Sequence, residues 1–394
     1  MSAASLTDRT ERIFLTGATG YLGIHLLAAL LNQSNAQVRC LVRASNKAQA
    51  LSRLYEGLAA QGLNPQGIEQ RLEVSVGDLA APALGLTPGE YARLGEEVDL
   101  IIHNGAQVNY VLNYAQLRPA NVDSTQALLR VAQRKGIPLA YISTLRLFDS
   151  RTDGVPIRET DAVDEQATRY SGYSRSKWMS EKLIHNAARR GQPCCILRPG
   201  LICAGREYPN ANPHDAVSRL IKGCLELGAT PDSALQVNLT PVDYVVNGIV
   251  ALLRQPQPSG VTYHLVNDTA TGFNRIAELL QDRGYDLTAL PYLTWRQKLE
   301  QCAARGNNAL LPLMAYFTDD LPEQSQRRVF DSRRTQQCLA RMGVSAEPLD
   351  ATLLRHTIDS LIRQESIPEP SLSSSDEPPL QSPGKDTELH YGNP

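Results

Sequence analysis

The sequence predicts an α/β fold, a doubly wound parallel sheet followed by a smaller, mainly helical lobe. Three observations predict it. Short apolar runs alternate with helix-patterned stretches from residue 11 to about 200, a glycine-rich turn follows the first run, and the rhythm breaks after residue 200. The runs are RIFLTG, AQVRCLVR, RLEVSVGD, VDLIIHNGA, IPLAYIST and PCCILRPG. They lack polar alternation, as strands covered by helices on both faces do. Between them lie amphipathic segments such as YAQLRPANVDSTQALLRVAQRKG, with Leu117, Val122, Ala127, Leu128 and Val131 on its apolar side. That spacing implies right-handed crossovers and a parallel sheet.

After residue 200, LICAGREYPNANPHDA reads as loop and VSRLIKGCLELG as helix. LQVNLTPVDYVVNGIVALL reads as a strand then a helix, and VTYHLVND as one more strand. ATLLRHTIDSLIR places Leu353, Leu354, Thr357, Ile358 and Leu361 on one helix face. The expected organisation is a nucleotide-binding domain over 1–200 with return segments at about 235–268. A C-terminal lobe over 201–365 then packs on the sheet's carboxyl edge. From Ser366 to Pro394 the chain is rich in Pro, Ser and acid, too poor in apolar surface to offset its ordering entropy, and is expected to be disordered.

Composition narrows the function classes. The 394 residues are 42% hydrophobic and 20% charged with a formal net charge of −2, which argues against nucleic acid or an anionic membrane as main partner. The seven cysteines are scattered without a CxxC pair, which argues against a disulfide framework or a metal site and fits a reducing cytoplasm. MSAASLTDRTER lacks a signal-peptide pattern, and no apolar run approaches the roughly 20 residues that span a bilayer. A cytoplasmic monomer is expected.

The turn TGATGYLG, residues 16–23, sits between a strand pattern and a helix pattern. Gly17 allows the tight turn, Gly20 lets a pyrophosphate approach the backbone, and Gly23 lets helix and strand pack closely. With Thr19, Tyr21 and Leu22 they form the expected dinucleotide cradle of a Rossmann-type fold. The second strand ends in Arg43 where a ribose-reading carboxylate would favour NAD, and Arg53 follows within the next helix. Guanidinium groups there suit a 2′-phosphate, so the expected cofactor is NADPH; the plain alternative is two solvated surface arginines. Asp78, followed by Leu79, either meets the adenine or caps a helix. Asn104, Gly105 and Ala106 let backbone approach the cofactor or simply turn, and Pro199 and Gly200 end a strand at the same edge. Asn121 is grouped with the cofactor residues, although a buried helix-bridging role fits it as well. Cys194 and Cys195 read as inert core thiols, and Asp243 as the start of a helix.

GYSRSKWMSEKL carries Tyr173 and Lys177, four apart and so on one helix face. They follow the fifth strand, whose carboxyl end holds Ser143 and Thr144. Ligands of doubly wound sheets bind outside the carboxyl strand ends, so Thr144, Tyr173 and Lys177 form the candidate catalytic set. Tyr173 supplies a proton to a carbonyl accepting hydride, Lys177 lowers the phenol's pKa and holds ribose, and Thr144 donates to the developing oxyanion. The plain reading is a strand cap and a core tyrosine.

TGATGYLG, CLVRA, HNGAQVNYVLNYAQLRPANV, YIST, the Tyr173–Lys177 pair, LRPGLICAG and LTPVDYVV together resemble the thioester reductase domains of the extended short-chain dehydrogenase/reductase superfamily, over about residues 11–360. Such domains end nonribosomal peptide synthetases and occur in carboxylic acid reductases and α-aminoadipate reductase; fatty acyl-CoA reductases are relatives. VNYVLNYAQLRPANV and LTPVDYV are the more diagnostic stretches. The resemblance implies an acyl thioester on a carrier protein's phosphopantetheine arm or on coenzyme A. It implies reduction by NADPH to a hemithioacetal held by Thr144 and Tyr173, then collapse to thiol and aldehyde, with a further step to the alcohol in some members. It also implies a C-terminal lobe that docks the carrier and shapes the acyl pocket. Because Met1 stands just ahead of the first strand pattern, the expected carrier acts in trans, or the substrate is a free acyl-CoA. Arg146, in STLRLF, stands where the family usually has a small residue. Two other readings share these residues: an extended dehydrogenase or epimerase acting on a nucleotide sugar or hydroxysteroid-like alcohol, and a non-catalytic NADP-sensing protein.

Overall fold

A computed structural model describes residues 12–370 apart from 66–67, 166–167, 169–170, 256–258, 268–269, 304 and 307. The six early apolar runs become β1 (Arg12–Thr16), β2 (Gln37–Val42), β3 (Leu72–Val76), β4 (Leu100–His103), β5 (Leu139–Ile142) and β6 (Cys194–Pro199). Short strands follow: β7 (Leu201–Cys203), β8 (Ala229–Asp232), β9 (Gln236–Val237) and β10 (Leu239–Pro241). VTYHL then forms β11 (Val261–Leu265), before β12 (Thr271–Gly272) and β13 (Thr288–Pro291).

β1 to β6 and β11 make one seven-stranded sheet in the order β11-β6-β5-β4-β1-β2-β3. Every pairing in it is parallel. The strand order reverses between β1 and β4, which opens a crevice at their carboxyl ends. The early connections carry α1 (Tyr21–Gln33), α2 (Lys47–Ala60), α3 (Ile68–Arg71), α4 (Pro88–Glu97), α5 (Tyr114–Arg118), α6 (Ser124–Gln133) and α7 (Gly172–Arg189). The later ones carry α8 (Ala216–Leu227), α9 (Val242–Leu253), α10 (Phe273–Asp282), α11 (Tyr292–Ala303), α12 (Leu321–Arg327), α13 (Arg333–Ala340) and α14 (Ala351–Arg363).

Alternation along β1 splits the core between two layers. Ile13 and Leu15 join Leu26, Leu27 and Ile249 on one face. Phe14 joins Ile101, Leu128 and Ile196 on the other. A separate apolar cluster gathers Val217, Ile221, Trp295, Phe317 and Ile358 from the later helices.

Four details correct or extend the sequence reading. The long amphipathic segment after β4 is not one helix: Pro119 opens a π-helical turn, Pro119–Asp123, between α5 and α6. Proline lacks the N–H that a regular helix needs at that point. LQVNL stays out of the main sheet because β11 already occupies the free edge of β6; β10 pairs instead with β7, and β9 with β12. α13 folds back so that Leu339 joins the core beneath β11 and α9. Finally, the disorder expected from residue 366 begins too early. Ile367 is buried in the C-terminal cluster and the Tyr285 hydroxyl donates to the Pro368 carbonyl at 2.5 Å, while residues 371–394 lie outside the described range.

Candidate active site

The glycine turn closes because Gly17 adopts φ 71°, a left-handed conformation that favours glycine. A Cβ on Gly17 would lie 2.6 Å from the Gly105 Cα, and one on Gly23 would lie 1.9 Å from the Gly17 carbonyl oxygen. Backbone of the first and fourth strand ends is thus pressed together. A Cβ on Gly20 would meet only the Gly17 oxygen, at 3.4 Å, so the space above it is open. Gly20 is also the N-cap of α1 and supplies no side-chain hydrogen bond, which leaves first-turn N–H groups for an anion.

Behind the turn, His103 binds the strand ends. Its Nδ1 lies 2.8 Å from Thr16 Oγ1 and its Nε2 lies 3.0 Å from Thr125 Oγ1. Thr125 donates its own proton to the Asn121 carbonyl, so Nε2 carries the ring proton and Nδ1 accepts from Thr16. Burial, helped by Lys177, pushes the His103 pKa down to about 3, so the ring stays neutral. Thr16 Oγ1 then accepts from the Gly105 N–H at 3.0 Å, and Asn104 Nδ2 donates to the Gly17 carbonyl at 3.1 Å.

The cleft above this floor has a volume of about 570 Å³ and reaches from Arg43 and Arg53 to Thr144, Tyr173 and Lys177. Thr144 caps the turn after β5, its Oγ1 accepting the Arg146 N–H at 3.2 Å. Because that lone pair is engaged, the Thr144 proton is free to point at a ligand. α7 starts where Ser171 accepts from the Ser174 N–H, and this sets Tyr173 and Lys177 in its first turns. Lys177 Nζ donates to the Ile142 carbonyl at 2.5 Å and lies 4.3 Å from the Tyr141 ring centre. Burial draws its pKa down to about 7, against an opposing pull from Glu181.

Burial also raises the Tyr173 pKa, Tyr110 adds to the rise, and the charge that opposes it is Arg146. Lys177 directs one of its three donors to β5, and Tyr173 stays protonated near neutral pH. Next to the cleft lies a second cavity of about 580 Å³, walled by Val217, Leu220, Leu235, Val237, Leu313 and Phe317. Thr144 and Arg146 line both spaces.

The NAD-binding domain model described as Male sterility protein matches residues 15–249. The chain belongs to that family. Its relatives agree with the geometry. The terminal R domain of the myxalamid PKS-NRPS pathway is 36% identical, with a TM-score of 0.83 over 92% of this chain and 93% of that one. A linear gramicidin synthase of Brevibacillus parabrevis is 32% identical over 90% of this chain, and L-2-aminoadipate reductase of Schizosaccharomyces pombe 32% over 85%. This family member spans only 7% of the first and 25% of the second.

In this NAD-binding chain the cleft is lined by Gly17, Thr19, Gly20, Tyr21, Leu22, Arg43, Arg53, Asp78, Leu79, Asn104, Gly105 and Ala106. Thr144, Tyr173, Lys177, Pro199 and Gly200 complete the expected set. Two expected residues do not line it. Gly23 is buried under the turn as a packing position, and Asn121 faces the other way on the π-helical turn. There Asn121 Oδ1 accepts the Gln107 N–H at 2.7 Å, and its Nδ2 donates to the Gln107 carbonyl at 3.1 Å and to Ser176 Oγ at 2.9 Å. It pins the loop over the cleft to α7 without touching the ligand space.

Asp78 caps no helix: its Oδ1 accepts the Ala80 N–H in a turn at the cleft rim. Asp243 opens α9 and also accepts the Arg206 and Glu207 N–H groups. Cys194 and Cys195 are buried thiols that burial pushes up to about 11 and about 12. Sequence reasoning missed His103, Tyr110 and Tyr316. Only His103 left a signal, one polar residue in the apolar run VDLIIHNG. Among the described residues no cluster of His, Cys, Asp or Glu could hold a metal, and no helix is long and apolar enough to cross a membrane.

Proposed function

We propose that this chain is an NADPH-dependent thioester reductase that releases an aldehyde from an acyl group on a carrier protein's phosphopantetheine arm or on coenzyme A. The observation that carries this reading is convergence. Thr144, Tyr173 and Lys177 meet at a glycine-floored cleft that opens into an apolar pocket large enough for an acyl chain. The reaction is acyl thioester plus NADPH plus a proton giving aldehyde, thiol and NADP⁺.

The residues fit the cofactor. Gly20 leaves the space above the backbone open where a pyrophosphate would rest, and Gly17 and Gly105 let the strand ends beneath it close together. Arg43 and Arg53 are exposed at the cleft end, Arg53 donating to the Arg43 carbonyl, where a 2′-phosphate would find guanidinium partners. When bound, the nicotinamide supplies hydride to the thioester carbon. Thr144, its acceptor role already filled, donates to the carbonyl oxygen as charge develops there. Tyr173, kept protonated by burial, is the acid that neutralises that oxygen. Lys177 faces the cleft beside Ile142 and would hold the ribose hydroxyls. Collapse of the hemithioacetal returns its hydroxyl proton to Tyr173 and expels the thiolate, which takes up the proton of the overall equation from solvent.

The similarity to a terminal R domain, and to peptide synthetase and aminoadipate reductase chains, supports a carrier-bound substrate over a sugar nucleotide. The test is NADPH consumption with acyl-phosphopantetheine thioesters, with trapped aldehyde identified by mass spectrometry. Consumption without aldehyde or alcohol product, or none with any thioester, refutes the reading.

A further inference from the structure

On the thioester reductase reading, we infer that Arg146 reads a hydrogen-bond acceptor on the acyl chain. The substrate class is then acyl thioesters that carry an amide or carboxylate oxygen beyond the reacting carbonyl, rather than plain alkanoyl chains. Arg146 is placed for this by its backbone: its N–H is bonded to Thr144 Oγ1, which ties the residue to the group that meets the reacting oxygen. Its side chain is 16% exposed and lines both the cofactor cleft and the acyl pocket.

The guanidinium lies 5.0 Å from the Tyr110 ring centre and 4.2 Å from that of Tyr316. Tyr316 is itself fixed, its hydroxyl donating to Ser171 Oγ at 2.8 Å. The Tyr110 hydroxyl also takes a hydrogen bond from Arg146, and the aromatic faces hold the cation while leaving its remaining N–H donors free. Arg146 Nε donates to Asp149 Oδ2 at 3.1 Å, and Asp149 Oδ1 takes a second bond from Arg328 Nη1 at 3.1 Å.

One carboxylate therefore serves two guanidinium groups. Among the residues lining the pocket, Arg146, Arg328 and Asp149 are the Arg, Lys, Asp and Glu side chains, so the wall carries one positive charge in excess. Burial works against the Arg146 charge, but Asp149, Tyr110 and Tyr316 outweigh it and keep the group protonated. A cation with spare donors on a largely apolar wall offers a ligand's acceptor a charge-assisted hydrogen bond in place of water. A purely structural role uses only the Nε donor on Asp149 and leaves the cavity-facing end of the guanidinium unexplained.

The test compares three pantetheine thioesters of matched length: an alkanoyl chain, one with an internal amide, and one ending in carboxylate. The wild-type protein is expected to favour at least one acceptor-bearing chain over the alkanoyl by about tenfold or more in kcat/KM. R146M, which leaves Asp149 paired to Arg328, is expected to remove most of that preference, chiefly through KM, and R146K to restore part of it. Preference for the amide alone points to peptidyl chains, and for the carboxylate alone to diacid chains; either supports the inference.

Equal loss on all three thioesters in R146M, or a wild-type preference for the alkanoyl chain, overturns it. Should R146M fail to fold, the wild-type series decides alone: turnover without preference overturns this inference and leaves the reductase reading standing. Absence of turnover on all three overturns both.

Discussion

The two cavities that meet at Thr144 are nearly equal in size, about 570 Å³ for the glycine-floored cleft and about 580 Å³ for the apolar pocket, but they are built from different materials. The cleft has a backbone floor: Gly17 and Gly105 let the strand ends close together, Gly20 leaves the space above open, and the sheet itself fixes where they stand. The pocket is mostly side chain, contributed by the turn after β5, by α8, by β9 and by residues 313–330. A backbone site tolerates little change and accepts one ligand geometry, whereas a side-chain site can be rewritten residue by residue.

The point where the two cavities meet is the first place to break the comparison. Tyr173→Phe keeps the ring that packs near Tyr110, at 6.4 Å between centres, and removes only the acid. Turnover is expected to fall by about 10²–10⁴-fold, the usual worth of a positioned general acid. NADPH should still bind, as read by fluorescence titration. Near-normal turnover would remove Tyr173 from the chemistry.

The glycines separate fold from ligand within the cleft. At Gly23 the added methyl would meet the Gly17 carbonyl at 1.9 Å, so Gly23→Ala should cost at least about 3 kcal/mol of stability, as overpacking against fixed backbone does. At Gly20 the space is open, so Gly20→Ala should fold with a melting temperature close to wild type yet bind NADPH about tenfold more weakly. Equal melting temperatures for the two variants would show that backbone contact does not set the cleft.

Arg43 tests which nicotinamide is used. Removing one exposed charged partner of a phosphate is worth about 1.5–3 kcal/mol at most. Arg43→Ala should therefore lower the NADPH/NADH ratio of kcat/KM by about tenfold, read from initial rates. An unchanged ratio would return Arg43 to the status of a solvated surface arginine.

The same division explains what the sequence disclosed. A parallel sheet carries every carboxyl strand end to one edge, so residues just after β1, β2, β4, β5 and β6 converge whatever the loops do. That is why Gly17, Arg43, Asn104, Thr144 and Pro199 could be grouped from strand patterns alone. Asn121 misled because proline at 119 shifts the helix phase by a π-helical turn, which rotates the side chain toward Gln107 and Ser176. The pocket was illegible for a different reason: Val237, Phe317 and Arg328 come from short strands and turns without periodicity, joined only by tertiary packing. Helix spacing gives Tyr173 and Lys177 a shared face but not which acceptor the ammonium finds; here it is the Ile142 carbonyl.

Lys177 also yields the smallest predicted effect, one that distinguishes the cleft electrically. Its pKa is drawn down to about 7, chiefly by burial, so above that pH the free protein holds it mostly neutral. A dinucleotide brings phosphate charge into the same cleft, and nearby negative charge favours the ammonium form. Binding must then raise the Lys177 pKa and take up a proton. The sign follows: uptake is near zero well below pH 7, where the group is already charged, and rises toward one proton at about pH 8.5. NADPH affinity accordingly weakens as pH climbs through the free-protein value. Calorimetric titrations of NADPH at about pH 6 and pH 8.5, each in two buffers of different ionisation enthalpy, read the proton count directly. Lys177→Met should abolish the uptake at the higher pH. If wild-type protein takes up no proton there, the ammonium is not in electrical contact with the bound cofactor, and its place in the catalytic set is lost.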